Sequence, residues 1–328
     1  MAQAVRWGIL GAANFAREQM APAIHAARGA DLVALATSDP AKAAGFQAFQ
    51  PRLRVHPDYD ALLADPEIDA VYIPLPNHLH IEWALRAIAA GKHVLVEKPL
   101  AMTADAFDAV IAARDASGLV VAEAYMIVHH PQFIRARDLV QGGAIGRLCH
   151  VDAAFSYNNA DAPDNIRNRP ETGGGGLPDI GVYTFGAARF VSGEDPLRVP
   201  YADIRFENGV DVFAQVAARF PSFTYGAVVS MRMFNRQEVV FQGDAGLLKL
   251  TCPFNANVHD LAQITIETAG GQVRTERFPT ANHYVHQVEN FCAAVRDGAP
   301  YPCPLEFSRG TQAMIDMVFA AAGKGGAQ

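Results

Sequence analysis

The amino-acid sequence predicts an α/β protein in which a doubly wound parallel sheet is followed by a second α/β domain with a large, open, mostly antiparallel sheet. In the first 124 residues, short apolar runs alternate with segments of helical periodicity, as they do in βαβ units. Between residues 200 and 278, short runs instead alternate apolar and polar side chains and are separated by turn signals such as Asn208-Gly209. We therefore predict two domains, at residues 1–124 and 125–328.

The composition favours a two-domain protein of the cytoplasm. The 328 residues suffice for about two domains, and with 50% hydrophobic and 19% charged residues the chain can bury a large core. A net charge of −7 argues against nucleic-acid binding, and no apolar run reaches the ~20 residues of a membrane span. The N-terminal residues lack the pattern of a signal peptide. The four cysteines, at positions 149, 252, 292 and 303, are too scattered to predict a metal site.

A glycine-containing turn follows the first predicted strand, Val5 to Leu10. It reads Gly11-Ala12-Ala13-Asn14-Phe15-Ala16, and set against the dinucleotide-binding pattern G-x-G-x-x-G/A it keeps the tight-turn glycine and the small helix-packing residue. Ala13 replaces the glycine that lets the backbone approach a pyrophosphate. The helix predicted over Arg17 to Arg28 would offer its N-terminal N–H groups to a diphosphate. We predict that residues 11–15 bind a dinucleotide in a Rossmann domain.

The second predicted strand, Asp31 to Thr37, ends in a segment that bears on the choice of cofactor. Sites specific for NAD usually carry Asp or Glu there, where the acid binds the ribose 2′-hydroxyl. Here Thr37 and Ser38 occupy that place and Lys42 follows one turn into the next helix, although Asp39 adds a negative charge. Hydroxyls and a cation suit a 2′-phosphate better than a carboxylate does. We predict NADP as the preferred cofactor, with NAD as the alternative.

A proline-rich loop follows the strand predicted over Ala70 to Ile73. It reads Pro74-Leu75-Pro76-Asn77-His78-Leu79-His80, and because its prolines exclude regular strand pairing it can line a cofactor cleft. We predict that Pro74, Leu75, Asn77 and His80 contact the cofactor, with Asn77 also the N-cap of the next helix. The alternative for His80 is a surface or capping histidine.

The next predicted strand, Val94 to Val96, leads directly into Glu97-Lys98-Pro99. A buried parallel strand delivers Glu97 and Lys98 to its carboxyl end, where open α/β sheets bind their ligands, and we predict both in the cofactor site. A lysine in such a cleft can transfer a proton or polarise a carbonyl. The alternative is a surface lysine paired with a carboxylate.

In the second domain, four consecutive glycines, Gly173 to Gly176, lead into a helix predicted to extend to about Val191. Asp179 and Tyr183 lie four residues apart, so their side chains project from one face of this helix. An acid and a phenol directed together into a cleft can form a proton relay, or bind a hydroxyl and a developing oxyanion. The alternative is that Asp179 complements the helix dipole and Tyr183 packs in the core.

The antiparallel runs predicted from Asp211 onward form a sheet with one face that is solvated or covered by a partner. Such a face is a natural dimerisation surface, so we expect a homodimer or homotetramer formed through it. Further helices are predicted from a Thr103 cap to about Ser117, and over residues 131–141, 283–297 and 306–322.

Together these motifs resemble the family of glucose–fructose oxidoreductase, inositol dehydrogenase and the rhizopine-catabolism oxidoreductases, the Gfo/Idh/MocA family. Four segments in order over the first 190 residues carry the resemblance: Trp7-Gly8-Ile9-Leu10-Gly11-Ala12-Ala13, Pro74-x-Pro76-Asn77-x-x-His80, Glu97-Lys98-Pro99 and Gly174-Gly175-Gly176-Leu177-x-Asp179-Ile180-Gly181-x-Tyr183. The Glu-Lys-Pro strand end combined with the glycine-rich motif is specific to this family.

The resemblance implies a Rossmann domain, a substrate-binding and oligomerisation domain, and NAD(P)-dependent hydride transfer to or from a carbinol or carbonyl of a sugar or polyol. It implies that Lys98 contacts substrate and cofactor and that Asp179 and Arg167 bind substrate, although Ile166 departs from the Trp of the family segment around Arg167. Many members of the family have His at the position of Tyr183. The Tyr found here is similar to that of the branch of dihydrodiol dehydrogenases, xylose dehydrogenases and glucose–fructose oxidoreductase. The resemblance makes Tyr183 the acid/base, with the positive charge of Lys98 favouring the phenolate.

Two other functions remain open. A sugar oxidoreductase of the glucose–fructose type would keep its cofactor bound and cycle it between two sugars within one turnover. A regulatory NAD(P)-binding protein would bind the dinucleotide without turnover, but such a sensor needs no proton relay of the kind that Lys98, Asp179 and Tyr183 form.

Overall fold

The computed structural model describes residues 4–325, and its N-terminal part contains a six-stranded, all-parallel sheet. The strands are β1 (Val5–Leu10), β2 (Ala30–Ala36), β3 (Arg54–His56), β4 (Ala70–Ile73), β5 (His93–Glu97) and β6 (Val121–Ala124). The helices are α1 (Ala21–Ala26), α2 (Pro40–Gln47), α3 (Tyr59–Leu63), α4 (His80–Ala89) and α5 (Phe107–Ser117). The strand order is β3-β2-β1-β4-β5-β6, so the order reverses between β1 and β4, which is the doubly wound topology of dinucleotide-binding folds.

The rest of the chain builds an eight-stranded sheet. Helix α6 (Pro131–Gln141) precedes β7 (Leu148–Asn158), and α7 (Val182–Ser192) precedes β8 (Arg198–Glu207), β9 (Val210–Arg219), β10 (Thr224–Ser230), β11 (Arg232–Gly243), β12 (Gly246–Leu250), β13 (Gln263–Thr268) and β14 (Gln272–Arg277). Helices α8 (His283–Asp297) and α9 (Leu305–Gly325) follow. The order is β14-β13-β12-β11-β7-β10-β9-β8, and every neighbouring pair is antiparallel except β7 with β10. The predicted fold class is confirmed.

The chain divides into two compact units whose limits differ from the predicted boundary at 124/125. The first unit contains residues up to His129 together with His283–Ser308, and the second contains His130–Asn282 and the remainder of the C-terminus. Helix α8 therefore packs with the parallel sheet, since the Phe291 ring lies 4.9 Å from the Trp7 ring and Glu289 pairs with Arg28 at 2.9 Å. Helix α8 belongs to the first unit because of contacts between residues far apart in the sequence. The periodicity of the helix itself cannot indicate such contacts.

Several helix starts also differ from the predictions. In place of a regular helix from Arg17, a π-helical turn (Ala16–Met20) precedes α1. Asn77 does not cap α4, because a 3₁₀ turn (Asn77–Leu79) comes first and the Asn77 carbonyl, not its side chain, accepts from the His80 N–H. Thr103 does not cap α5, because residues 103–106 form a turn and the helix begins at Phe107. Strands β3 and β8 were not among the predicted strands.

Within residues 4–325, no helix has the length and apolarity that a membrane crossing requires.

Candidate active site

The turn after β1 begins with a glycine in the left-handed region of backbone conformation. Gly11 adopts φ +106°, and a Cβ at this position would lie 3.2 Å from Leu75 Cδ2 and 3.3 Å from Tyr59 Oη. Both the conformation and the space therefore favour glycine. Residues 12–15 follow as a partly exposed to exposed segment, and Arg17 N–H donates to the Ala13 carbonyl to begin the helical turn. The turn lies at the carboxyl end of β1, where the strand order reverses, and it fits a bound diphosphate.

At the end of β2 the acid that could oppose a 2′-phosphate also caps the following helix. Asp39 Oδ1 accepts from Ala41 N–H at 3.0 Å and caps α2. The Thr37 hydroxyl is nearly buried and accepts from Asp39 N–H at 3.2 Å, whereas Ser38 and Lys42 are exposed. This edge therefore presents the Ser38 hydroxyl and the Lys42 cation beside the exposed carboxylate of Asp39, one oxygen of which caps α2.

His80 is fully buried and connects the proline-rich loop to the segment after β5. Its Nδ1 lies 2.8 Å from the Pro99 carbonyl oxygen and its Nε2 lies 2.6 Å from the Leu75 carbonyl oxygen. Burial outweighs these two contacts and lowers the pKa of His80 to about 4. With both nitrogens facing protein backbone, His80 would support a cofactor by holding Leu75 and Pro99 in place.

Lys98 lies at the carboxyl end of β5, partly exposed, in a segment that two carboxylates hold. Glu97 Oε1 accepts from the Tyr72 hydroxyl at 2.7 Å, and Oε2 accepts from Lys98 N–H at 3.3 Å. Glu123, on the neighbouring strand β6, accepts from Leu100 N–H at 2.8 Å, and burial raises its pKa. These bonds restrain the backbone at Lys98 and Leu100, and they give the Glu97 carboxylate two protein donors.

In the second unit, two polar side chains donate to the carboxylate of Asp179. Asp179 lies in a π-helical turn (Leu177–Gly181) that continues into α7, and it is 8% exposed. Its Oδ2 accepts from Arg167 Nε at 2.8 Å and from the Tyr157 hydroxyl at 2.7 Å. The charge of Asp179 raises the pKa of Arg167, and burial followed by that same charge raises the pKa of Tyr157. Asp179 is thus held as a carboxylate by two donors.

Tyr183 lies in the first turn of α7, on the same continuous helical segment as Asp179. It is 6% exposed, and its ring packs 5.8 Å from the Phe254 ring and 6.0 Å from the Phe155 ring. The aromatic neighbours restrict the ring and supply an apolar surface beside it. A phenol so held can give or take one proton at a defined position.

Two residues of this unit were not predicted. Tyr157, the donor to Asp179, is the last residue but one of the long strand β7, and a phenol in an alternating strand carries no local signal of its partner. Asp211, buried near the start of β9, accepts from Leu177 N–H at 2.6 Å. An acid next to Val210 and Val212 in a buried stretch is the one signal that could have indicated it.

Comparison with known proteins agrees with this geometry. Residues 5–125 match the Gfo/Idh/MocA oxidoreductase family with its NAD-binding Rossmann fold, and residues 133–249 match a C-terminal domain of the same family. An uncharacterized oxidoreductase, ORF334 of Rhizobium meliloti, is 38% identical over 98% of both chains. D-xylose 1-dehydrogenase (NADP(+)) 2 of Haloferax volcanii is 34% identical over 98% of both chains.

Among solved structures, the 3-ketoreductase KijD10 of Actinomadura kijaniata, in complex with NADP and TDP-benzene, superposes with a TM-score of 0.89. It is 29% identical to the chain, and the match covers 97% of this chain and 98% of that one. Both domains match the same family, and the relatives are similar to the chain over nearly its whole length. The sequence motifs indicated the same family. The chain belongs to the Gfo/Idh/MocA family of oxidoreductases and is an enzyme of that family.

Proposed function

We propose that this protein is an NADP-dependent sugar oxidoreductase that oxidises a carbinol of an aldose or polyol and, in reverse, reduces the corresponding carbonyl. The observation that carries the proposal is the carboxylate of Asp179, held by Arg167 and Tyr157 on the helical segment that also presents Tyr183. A fixed carboxylate and a restrained phenol are what the orientation and deprotonation of a sugar hydroxyl require.

The roles follow from the chemistry of each side chain. Tyr183 removes the hydroxyl proton in the oxidative direction, and Lys98 binds the same hydroxyl and stabilises the negative charge that develops on its oxygen. Asp179 accepts a hydrogen bond from a second hydroxyl and orients the sugar ring, and Arg167 fixes that carboxylate. When bound, the nicotinamide cofactor supplies the acceptor or donor of hydride.

The residues present fit such a cofactor. Gly11 has no side chain where a Cβ would crowd the turn, and the following segment offers N–H groups for the diphosphate. Ser38 and Lys42, with Asp39 engaged as a helix cap, favour NADP over NAD, and the xylose dehydrogenase and ketoreductase relatives named above are NADP proteins. Pro74, Leu75 and Asn77 would line the nicotinamide side.

A second candidate substrate is a nucleotide-linked keto sugar. The observation that favours it is the likeness to the 3-ketoreductase solved with TDP-benzene over nearly the full chain. The two substrates differ by a diphosphate and a nucleoside, so they are easily separated in an assay. The proposed relay of Lys98 and Tyr183 is the same for both.

We further propose that the protein forms a homodimer or homotetramer in the cytoplasm through the open face of the large sheet. On this face, strands β7, β9, β10 and β11 line a depression of about 650 Å³ with both charges present, including the pairs His150–Asp152 at 3.1 Å and Arg236–Glu238 at 2.9 Å. Tyr201, half exposed, borders it. A mixed-charge face with an aromatic rim suits contact with a second copy. Light scattering on the Tyr201→Glu variant should show a smaller assembly than the wild type.

The deciding experiment measures absorbance near 340 nm with purified protein, NADP⁺ or NAD⁺, and a panel of aldoses. An increase that needs added NADP⁺ and is lost in Tyr183→Phe supports the proposal. Cofactor that copurifies and cycles between two sugars without additions would instead assign the protein to the glucose–fructose type. Turnover only when a TDP-keto sugar is supplied with NADPH would assign the second substrate, and no turnover with either class would contradict the proposal.

A further inference from the structure

A buried acid, Asp211, holds the N-terminus of the helical segment that carries Asp179 and Tyr183. Asp211 is 3% exposed and its Oδ2 accepts from Leu177 N–H at 2.6 Å, at the first residue of that segment. The nearby backbone N–H groups of Gly176 and of Asp211 itself favour the charged form of the carboxylate and so act to lower its pKa. The first N–H groups of a helix have no partner within the helix, so Asp211 supplies an acceptor where one is needed.

The glycine turn before this segment is shaped around the Asp211 carboxylate. Gly175 adopts φ +130°, and a Cβ at this position would collide with Asp211 Oδ1. A Cβ at Gly176 would lie 3.3 Å from Asp211 Oδ2. At Gly175, conformation and space together therefore require glycine for as long as the acid occupies its place.

The same turn is bonded to the backbone around Arg167. Gly175 N–H donates to the Arg167 carbonyl at 3.0 Å, and Gly174 N–H donates to the Arg169 carbonyl at 3.1 Å. A Cβ at Gly174 would come within 2.5 Å of the Arg167 carbonyl oxygen. One turn thus fixes the backbone that presents Arg167 and the helix that presents Asp179, whose side chains form the ion pair described above.

The charge of Asp211 is costly to the fold. Burial, which outweighs the backbone N–H groups, raises the pKa of Asp211 to about 6, so the carboxylate is ionised at neutral pH at the expense of stability. An uncharged side chain with one oxygen acceptor would cap Leu177 without that expense. A function in placing the turn would explain why a carboxylate stands here, since its Oδ2 binds Leu177 N–H while its Oδ1 packs against Gly175.

We propose that Asp211 is a positioning residue of the active site, which places Arg167, Asp179 and Tyr183 by binding Leu177 N–H through Oδ2 and by packing Oδ1 against the glycine turn. It acts through the turn and does not touch substrate. The inference rests on the proposed function, because it assumes that Asp179 and Tyr183 act on the substrate. If Asp211 only stabilised the fold, its variants would melt at lower temperature but turn over normally once folded.

The test compares Asp211→Ala and Asp211→Asn with a matched control, Asp203→Asn, which removes the same charge from an exposed position on the neighbouring strand β8. Each variant is assayed for kcat, KM for the sugar and Kd for NADPH, with circular dichroism to verify folding. We expect kcat to fall about 10- to 100-fold in Asp211→Ala and less in Asp211→Asn, because small displacements of catalytic groups cost that much. The Kd for NADPH should stay within about 2-fold, since the loops proposed to bind it belong to the first unit.

A second measurement tests the mechanism through the glycine turn. Gly175→Ala should reduce kcat by itself, and in the Asp211→Ala background the added loss should be smaller, because the atom that the new Cβ would strike is gone. Additive losses would contradict the proposed contact. If Asp211→Ala does not fold, Asp211→Asn, which keeps an oxygen for Leu177 N–H, provides the kinetic test.

The outcomes separate the two proposals. Wild-type kcat in folded Asp211→Ala or Asp211→Asn, alongside an inactive Tyr183→Phe, would overturn the positioning of the turn and leave the proposed function standing. Wild-type kcat in Tyr183→Phe would overturn the proposed function whatever the Asp211 variants do.

Discussion

Arg167 and Asp179 form an ion pair in which Nε of the guanidinium lies 2.8 Å from Oδ2 of a carboxylate that is only 11% exposed. The resemblance implied that Arg167 binds substrate. In the structure its guanidinium instead pairs with Asp179. A buried carboxylate is costly without a partner, and Arg167, which is itself 42% exposed, supplies the compensating charge for Asp179. The geometry of the proposed sugar site therefore depends on this pair.

Replacing Arg167 tests that dependence. Lysine retains the charge but not the planar guanidinium, so Arg167→Lys should lower kcat/KM about 10-fold, and Arg167→Ala about 100-fold, because Asp179 loses its compensating charge. Steady-state kinetics with the best aldose measures the effect. Arg169→Ala is the control, since this neighbouring side chain is half exposed and pairs with Glu171. Equal losses at positions 167 and 169 would show only that the loop is sensitive to substitution.

The hydroxyl of Tyr157 should contribute separately. Tyr157→Phe removes the donor to Asp179 Oδ2 and leaves the ring in place, so kcat/KM should fall about 10-fold, the value of one hydrogen bond to a charged group. The control is Tyr201→Phe on β8, which keeps the ring that the proposed subunit contact uses and removes only a hydroxyl, so kcat/KM should be unchanged. Unchanged kinetics in Tyr157→Phe would mean that Arg167 alone holds Asp179.

Substitution of the proposed acid/base pair should have the largest effect. Tyr183→Phe and Lys98→Ala should each lower kcat about 100-fold or more, because each removes a group that exchanges a proton or stabilises charge in the transition state. Single-turnover kinetics with NADP⁺ already bound would isolate the chemical step. Near-normal rates in either variant would remove that residue from the mechanism.

Local sequence signals predicted much of the fold. Apolar runs bounded by Gly or Pro gave the bounds of β1 and β4 as the structure has them, and the helix after Pro131 was also predicted to the residue. The strand-end position of Lys98 followed from the same signals. These features depend on neighbours in the chain, which a sequence displays directly.

The residues that shape the candidate site could not be predicted in the same way. Tyr157 and Asp179 are 22 residues apart, and Asp211 is 34 residues from Leu177, whose N–H donates a hydrogen bond to it. Such contacts arise from the pairing of distant strands, and no periodicity within one segment records them. The same limit applies to His80, whose partners are the carbonyl groups of two separate loops.

Cofactor preference should depend on Lys42. Lys42→Glu replaces a cation near the proposed 2′-phosphate site by an anion, so KM for NADP⁺ should increase about 10- to 100-fold while KM for NAD⁺ changes little. Arg52→Glu, at another exposed position of the same unit, makes the same change of charge and serves as the control. A parallel increase for both cofactors would indicate a general electrostatic effect and leave the 2′-phosphate contact without support.

Stability in acid should depend on His129. Its Nδ1 accepts from the Asn290 amide at 2.8 Å, and burial, with a smaller effect from His286, lowers its pKa to about 3. Its pKa in the unfolded chain is about 6.5, so the unfolded state binds a proton first, and the contribution of His129 is complete above pH 6.5 and is lost as the pH falls toward 3. At about 1.36 kcal/mol per pKa unit, going from pH 7 to pH 4 should remove about 3 kcal/mol of unfolding free energy.

Urea denaturation measures this loss. In His129→Gln, which keeps an acceptor for Asn290, the unfolding free energy should depend less on pH by that amount. His259→Gln, at an exposed position, should follow the wild type. An unchanged acid loss in His129→Gln would mean that the ring binds its proton equally well in the folded protein.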